Sequence, residues 1–213
     1  HKVNIIKYLD EIDEEAELIG AVNTVKNENG KLIGYNTDGK GFIQVLKDKD
    51  IEIKNKSIAI LGSGGAARAI SIILAKEGVS KITIINRTVE KAKALSEEIK
   101  QKFSQVDVEY IGLDYDDNSF NTTNVLINCT SIGMYPNNEE LAIDPKIFNK
   151  DTIICDIVYK PLKTKLLEEA ERYGYRTVNG LNMLIYQAIL SEEIWLNTTL
   201  DKQIVIEYFK QKI

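Results

Sequence analysis

The stretch SIAILGSGGAARAISIILAKEGVSKITIIN, residues 57–86, constrains the fold more than any other part of the chain. An uncharged apolar run at 57–61 enters a glycine-rich turn. Residues 66–78 then repeat apolar side chains at helical spacing until Gly78 stops them, and a second apolar run follows at 81–86. Strand, helix and strand joined this closely must be parallel neighbours with the helix crossing one face. The alternation goes on: a helix over 89–103, strands at 107–110, 125–128 and 152–156, a helix at 164–173 and a short strand at 176–178. Such repetition predicts an α/β chain built on a doubly wound parallel sheet.

The turn itself carries chemistry. Gly62, Gly64 and Ala67 form a G-x-G-x-x-A pattern between strand and helix, followed by a second strand, which is the context of a Rossmann-type dinucleotide site. The first glycine makes the tight turn, the second admits a pyrophosphate to the backbone, and the small third residue lets helix and strand pack. The second strand ends in Asn86, Arg87 and Thr88, with Lys91 one helical turn on, where an NAD site would place an acid on the ribose. A guanidinium fork suits a 2′-phosphate, so the cofactor expected is NADP. The plainer reading is that Arg87 and Thr88 only begin the next helix, with Thr88 as its cap. The loop after the strand at 125–128 carries Asn128, Thr130 and Ser131 and should lie at the carboxyl edge of the sheet, where ligands bind in this fold.

Outside this region the organisation differs. A helix is expected near 4–18, and Asn29-Gly30 signals a tight hairpin between VNTVK and KLIGYN. Two helices are expected over 181–196 and 201–213. The 213 residues, 44% hydrophobic and 28% charged with a net charge of −5, describe an ordinary globular chain with no broad positive field for nucleic acid or anionic lipid. Glu11, Asp13, Glu14, Glu15 and Glu17 rule out a secretory signal in the opening residues, and no apolar run is long enough to span a membrane, so a cytoplasmic location is expected. Cys129 and Cys155 stand apart and the one histidine is His1, so neither a metal site nor a histidine-based triad is expected. Proton transfer must then fall to Lys, Asp, Glu, Tyr or Cys.

Four further polar residues have ordinary explanations when taken singly. Asp38 precedes GKGFIQVLK and reads as a helix N-cap. Asn23 reads as a turn residue, Tyr159 as an aromatic lid beyond a strand, and Gln187 as a solvated helix position.

Together the segments form a longer pattern. HKVNIIKYLDEI, GAVNT, GYNTDGKGF, GSGGAARA, NRT, NCTSIGM, DIVYKPLKTKLL and NGLNMLIYQA occur in the order and at the spacings of the shikimate dehydrogenase family, which the chain resembles over essentially its whole length. The resemblance implies a Rossmann domain over 39–180, the remnant of a truncated α/β substrate domain over 1–38, and C-terminal helices, 181–213, that pack back on that domain. It implies Lys2 as the catalytic lysine and Asp38 as its partner, with Asn23, Tyr159 and Gln187 holding substrate. Gly62, Gly64, Gly65 and Ala66 match the pyrophosphate loop, and Asn86, Arg87, Thr88 and Lys91 the 2′-phosphate end. Thr130, Ser131, Ile157, Gly180 and Met183 match the lining around ribose and nicotinamide.

The reaction implied is reversible reduction of 3-dehydroshikimate to shikimate by NADPH, in a monomer or homodimer with small molecules as its partners. In the family a segment with a Ser-x-Ser element that grips the substrate carboxylate precedes the match to Lys2. The chain is therefore expected to start at a cut edge and, in this form, to bind NADP while turning over poorly. Alternatives are a quinate/shikimate enzyme with relaxed substrate and cofactor choice, a catalytically silent NADP-binding module, and an aldehyde or folate reductase sharing only the glycine loop.

Overall fold

The computed structural model describes residues 1–210, without the side chains of Asp117, Asn118 and Lys210. The chain forms two compact units: His1–Ile51 together with Asn182–Ile213, and Glu52–Leu181.

The first unit opens with a 3-10 turn at Ile6–Tyr8, strand β1 (Glu11–Ile12), helix α1 (Glu14–Ile19), strands β2 (Thr24–Glu28) and β3 (Lys31–Tyr35), and helix α2 (Asp38–Asp48). The strands lie in the order β1-β3-β2, with β1 parallel and β2 antiparallel to β3. The hairpin turns on Asn29 and Gly30, both at positive φ (54° and 92°), as a two-residue turn matching strand twist requires. The single helix expected near 4–18 is absent. Asp10 accepts from the Leu32 amide at 2.7 Å and its own N–H donates to the Leu32 carbonyl at 2.9 Å, which fastens this segment to β3. Asp13 then accepts from the Glu15 amide at 3.0 Å and starts a separate short helix. Pairing with β3 and a mid-segment cap override the helical spacing.

The second unit follows the predicted alternation: β4 (Ser57–Leu61), α3 (Gly65–Lys76), β5 (Lys81–Ile85), α4 (Val89–Lys102), β6 (Asp107–Ile111), β7 (Val125–Asn128), β8 (Ile153–Asp156), α5 (Lys165–Arg172) and β9 (Thr177–Val178). All six strands are parallel, in the order β6-β5-β4-β7-β8-β9. Helices cover both faces, so central strands are apolar on both sides: Ile58, Ala59, Ile60 and Leu61 are all buried. One face carries a core of Leu61, Ile85, Phe120, Leu126, Phe148 and Leu166. The strand order reverses between β4 and β7, the switch point where this fold opens a ligand crevice at the strands' carboxyl ends.

The chain returns to the first unit through α6 (Leu181–Leu196) and α7 (Lys202–Lys210). A Cβ added at Gly41 would lie 3.0 Å from the Gln187 backbone nitrogen, so the glycine lets α2 and α6 approach closely. Trp195 donates to the Val25 carbonyl at 2.9 Å, and Lys26 donates to Asn197 at 2.6 Å, tying α6 to β2. The last three residues of the expected 201–213 helix lie outside the described residues. No described helix is long and apolar enough to cross a membrane.

Candidate functional site

Asp38 is the first residue of α2, yet its side chain caps nothing. Thr37 holds the N-cap position, and no cap bond from a side chain forms there. The Asp38 carboxylate, 5% exposed, is turned instead toward Lys2 and Asn23. The Lys2 ammonium pairs with Oδ2, and Asn23 Nδ2 donates to Oδ1 at 2.8 Å. The Val22 amide donates to the Lys2 carbonyl at 2.9 Å, setting Lys2 alongside the segment that carries Asn23.

The orientation of the Asn23 amide is dictated by its partners. Its Oδ1 accepts from the Thr37 amide at 3.0 Å and the Thr24 hydroxyl at 2.9 Å, leaving Nδ2 to face the carboxylate. Gln187 Oε1 stands 3.5 Å from the same Nδ2, so Gln187 is half-buried at the edge of the cluster rather than a solvated position. Thr24 and Ser191 share a buried hydroxyl contact of 2.7 Å, and Ser191 donates to the Gln187 carbonyl at 2.9 Å. Sequence reasoning missed Thr24, Thr37 and Ser191. The one available signal was the repeated Asn-Thr pair, at 23–24 and 36–37. A cavity of about 410 Å³ adjoins the cluster, lined by Lys2, Ile5, Tyr8, Val22, Asn23 and Val25 among others. An ammonium held by a carboxylate, which in turn takes the Asn23 amide with Gln187 beside it, suits a polyhydroxy substrate and one proton transfer.

In the second unit a cavity of about 540 Å³ lies at the carboxyl ends of β4, β5 and β7. Gly62 has φ of +108° and donates to the Ile85 carbonyl at 2.7 Å, and an added Cβ would meet the Cys129 backbone at 3.2 Å. Gly62 is thus required by the protein's own backbone. Gly64 is different: a Cβ there meets no protein atom within 4 Å. Nothing among the described residues demands that glycine, whereas an anion brought up to the backbone would. Gly65 and Ala66 open α3, whose first N–H groups lack helical partners and suit a pyrophosphate. Ala67 is fully buried, which lets α3 pack close to the sheet.

Asn86, Arg87, Thr88 and Lys91 line the same cavity. Arg87 and Lys91 are exposed and make no ion pair among the described residues. Thr88 occupies the N-cap of α4 without a side-chain cap bond, so capping does not account for it. Asn86 donates to the Thr88 carbonyl at 2.9 Å, folding the turn that presents Arg87. Two exposed cations without an ion pair among the described residues, at the end of β5, fit a 2′-phosphate better than a bare ribose diol, although Glu140 also lines the cavity. Thr130 and Ser131 line the cavity from the β7 side.

The remaining expected residues are more scattered. Ile157 follows β8, and Gly180 packs on it so tightly that a Cβ would lie 2.1 Å from the Ile157 carbonyl oxygen. Neither lines the cavity of the glycine loop. Tyr159 is exposed in the second unit and Met183 is buried on α6 in the first. Among the described residues no cluster of three or more His, Cys, Asp or Glu could hold a metal ion. Burial pushes the Cys155 thiol up to about 12, so it is no nucleophile.

Known proteins resemble this chain in sequence and in fold. Residues 44–159 match the shikimate / quinate 5-dehydrogenase family. A shikimate dehydrogenase (NADP(+)) of Methanococcus maripaludis strain C6 is 46% identical over 215 residues, covering 100% of this chain and 75% of the relative. A crystal structure of a shikimate dehydrogenase in complex with NADP+ superposes with a TM-score of 0.90 at 44% identity, over 100% of this chain and 74% of that one. The Listeria monocytogenes shikimate 5-dehydrogenase, solved with shikimate and NAD, gives 0.89 at 36% identity over 98% and 74%. With a relative this similar over the whole of this chain and three quarters of its own length, the chain belongs to the shikimate dehydrogenase family.

Proposed function

We propose that this chain catalyses the reversible reduction of 3-dehydroshikimate to shikimate with NADPH. The observation that carries the reading is the Lys2 ammonium on the Asp38 carboxylate, with Asn23 bonded to the same carboxylate and Gln187 beside it. A module that only bound NADP would have no use for that cluster.

Gly62, Gly64, Gly65 and Ala66 would hold the pyrophosphate, and Asn86, Arg87, Thr88 and Lys91 the 2′-phosphate. Thr130, Ser131, Ile157, Gly180 and Met183 complete the lining in this reading. Bound NADPH supplies the hydride. The protein's own part is to align the ketone and manage one proton. Lys2, as an ammonium, polarises the carbonyl and donates a proton to the oxygen as it becomes an alkoxide; in the oxidative direction the amine takes the proton back. Asp38 fixes the direction of the ammonium, and Asn23 fixes Asp38 through the 2.8 Å bond. The amides of Asn23 and Gln187, with the Tyr159 hydroxyl, are assigned to holding the substrate.

In the same reading the enzyme works in the cytoplasm as a monomer or homodimer. The test is to mix the protein, in a chain that carries the family's segment ahead of Lys2, with shikimate and NADP+, follow the absorbance of reduced nicotinamide, and repeat with quinate and with NAD+. Shikimate turnover with NADP+ well above the other combinations is expected. Equal use of quinate and NAD+ would support the relaxed alternative, which the family's range includes. No turnover with any pair, alongside normal NADPH binding, would support the silent module.

A further inference from the structure

Asp156 is a buried carboxylate, 2% exposed, at the end of β8, and the mechanism above does not use it. Its Oδ1 accepts from Asn128 Nδ2 at 3.1 Å and from the Val158 amide at 2.9 Å, while Oδ2 accepts the Thr164 hydroxyl at 2.7 Å. Asn128, fully buried at the end of β7, passes the connection on. Its Oδ1 accepts both the amide and the hydroxyl of Thr130, at 3.0 and 2.7 Å. The Thr130 oxygen in turn accepts from the Ile132 amide at 3.1 Å.

The amide of Asn128 is nearly symmetrical in shape, so its polarity is decided by what faces each end. Two donors face one end. The other end meets a carboxylate oxygen, which only accepts. Asp156, with the Ile132 carbonyl 3.5 Å from the same Nδ2, holds the NH2 end of Asn128 while its oxygen faces the amide and hydroxyl of Thr130, and the proton of the Thr130 hydroxyl is spent there. Ser131, exposed and lining the cavity, makes no side-chain hydrogen bond among the described residues. Through Val158 the same carboxylate holds the start of the next loop, where the Ile157 amide donates to the Asn128 carbonyl at 3.1 Å and Gly180 donates to the Val158 carbonyl at 3.2 Å.

We infer that Asp156 is the positioning residue of the cofactor-facing loops, acting through Asn128 on residues 129–132 and through the Val158 amide on Ile157. The inference rests on the assignment of this unit to NADPH. Thr130 on this view serves NADPH by the shape of its loop rather than by donating its hydroxyl.

The test is titration of the whole chain with NADPH, read from the fluorescence of the reduced nicotinamide, with thermal unfolding measured alongside. Asp156→Ala is expected to weaken NADPH by roughly tenfold or more, because a buried amide loses its partner. Asp156→Asn should stay within about threefold of wild type, since its amide oxygen can still accept from Val158 and Asn128. Asn128→Ala should weaken NADPH as Asp156→Ala does, and the double variant should lose less than the product of the two, as expected for residues acting along one path. A folded Asp156→Ala with wild-type affinity, or a fully multiplicative double variant, overturns the inference. A merely structural role would lower the unfolding temperature and leave the affinity of the folded protein unchanged. Should Asp156→Ala not fold, Thr130→Ala against Thr130→Ser decides: weaker binding by the alanine variant alone supports the inference, and equal affinities overturn it. A wild-type chain that binds no NADPH overturns the cofactor assignment itself.

Discussion

Asn23 Nδ2 donates to Oδ1 of Asp38 at 2.8 Å, on the oxygen that Lys2 does not take. The carboxylate is thus held from two sides, one charged and one neutral. Its direction toward the ammonium does not depend on the ammonium alone.

Asp38→Asn keeps the shape and removes the charge. The oxygen of the new amide must accept from Asn23, which turns its NH2 toward the Lys2 ammonium, donor against donor. Turnover is expected to fall by about 10²–10⁴-fold, the range for losing a positioned acid–base system, with NADPH affinity unchanged. Steady-state oxidation of shikimate and a separate NADPH titration check both halves. Near-normal turnover would remove the pair from the mechanism.

The glycines of the turn should separate by cause. Gly64→Ala places its Cβ in open space at ordinary φ, so unfolding stability should change little while dinucleotide affinity drops. Gly62→Ala puts a side chain at φ +108° and 3.2 Å from Cys129, and should lose stability by about 1–3 kcal/mol. Urea unfolding with and without NADP+ distinguishes them. A Gly64→Ala protein that binds as wild type would show that no ligand approaches there.

Arg87→Glu reverses the charge beside the expected 2′-phosphate. Preference for NADP+ over NAD+, taken as the ratio of kcat/KM, should fall by at least about tenfold, mostly through the KM of NADP+. An unchanged ratio would assign the 2′-phosphate to other residues.

Burial pushes the Asp156 carboxyl above its ordinary value of 3.8, although its bonds from Thr164, Val158 and Asn128 pull it the other way. The folded chain therefore holds this proton more tightly than the unfolded chain. The group's contribution to stability is fully present below the ordinary carboxylate value and is lost as pH rises through the native one. Asp156→Asn lacks that loss, so its stability relative to wild type should improve as pH rises across the window. Urea unfolding of both proteins from acid to neutral pH measures it; a relative stability that falls over that range would mean that the hydrogen bonds, not burial, set the proton affinity.

Much of the sheet was legible beforehand because each element's signal sits within a few residues. Ser57–Leu61, Lys81–Ile85 and Val125–Asn128 are short uncharged runs between helical patterns, and Leu181–Leu196 coincides with its apolar segment. The segment near 4–18 was misjudged for the converse reason. Its helical spacing is real, but Asp10 and Asp13 make bonds, one of them to β3, that local periodicity does not register. Arg87 and the glycine loop stood out because phosphate recognition concentrates in one turn.

Thr24, Ser191 and Asp156 were not singled out for a different reason. A hydroxyl acquires a role only when a partner arrives, and Ser191 lies 167 residues from Thr24, as Asp156 lies 28 from Asn128. By itself the sequence determined the alternation of strands and helices, the glycine-rich turn and the family, since these follow from neighbours along the chain. Only the tertiary structure decided that Asp38 faces Lys2 instead of capping α2, and that Asp156 meets the amide of Asn128. The physical reason is that a buried polar group must find hydrogen-bond partners wherever chain closure supplies them, and closure brings together residues with no local relation.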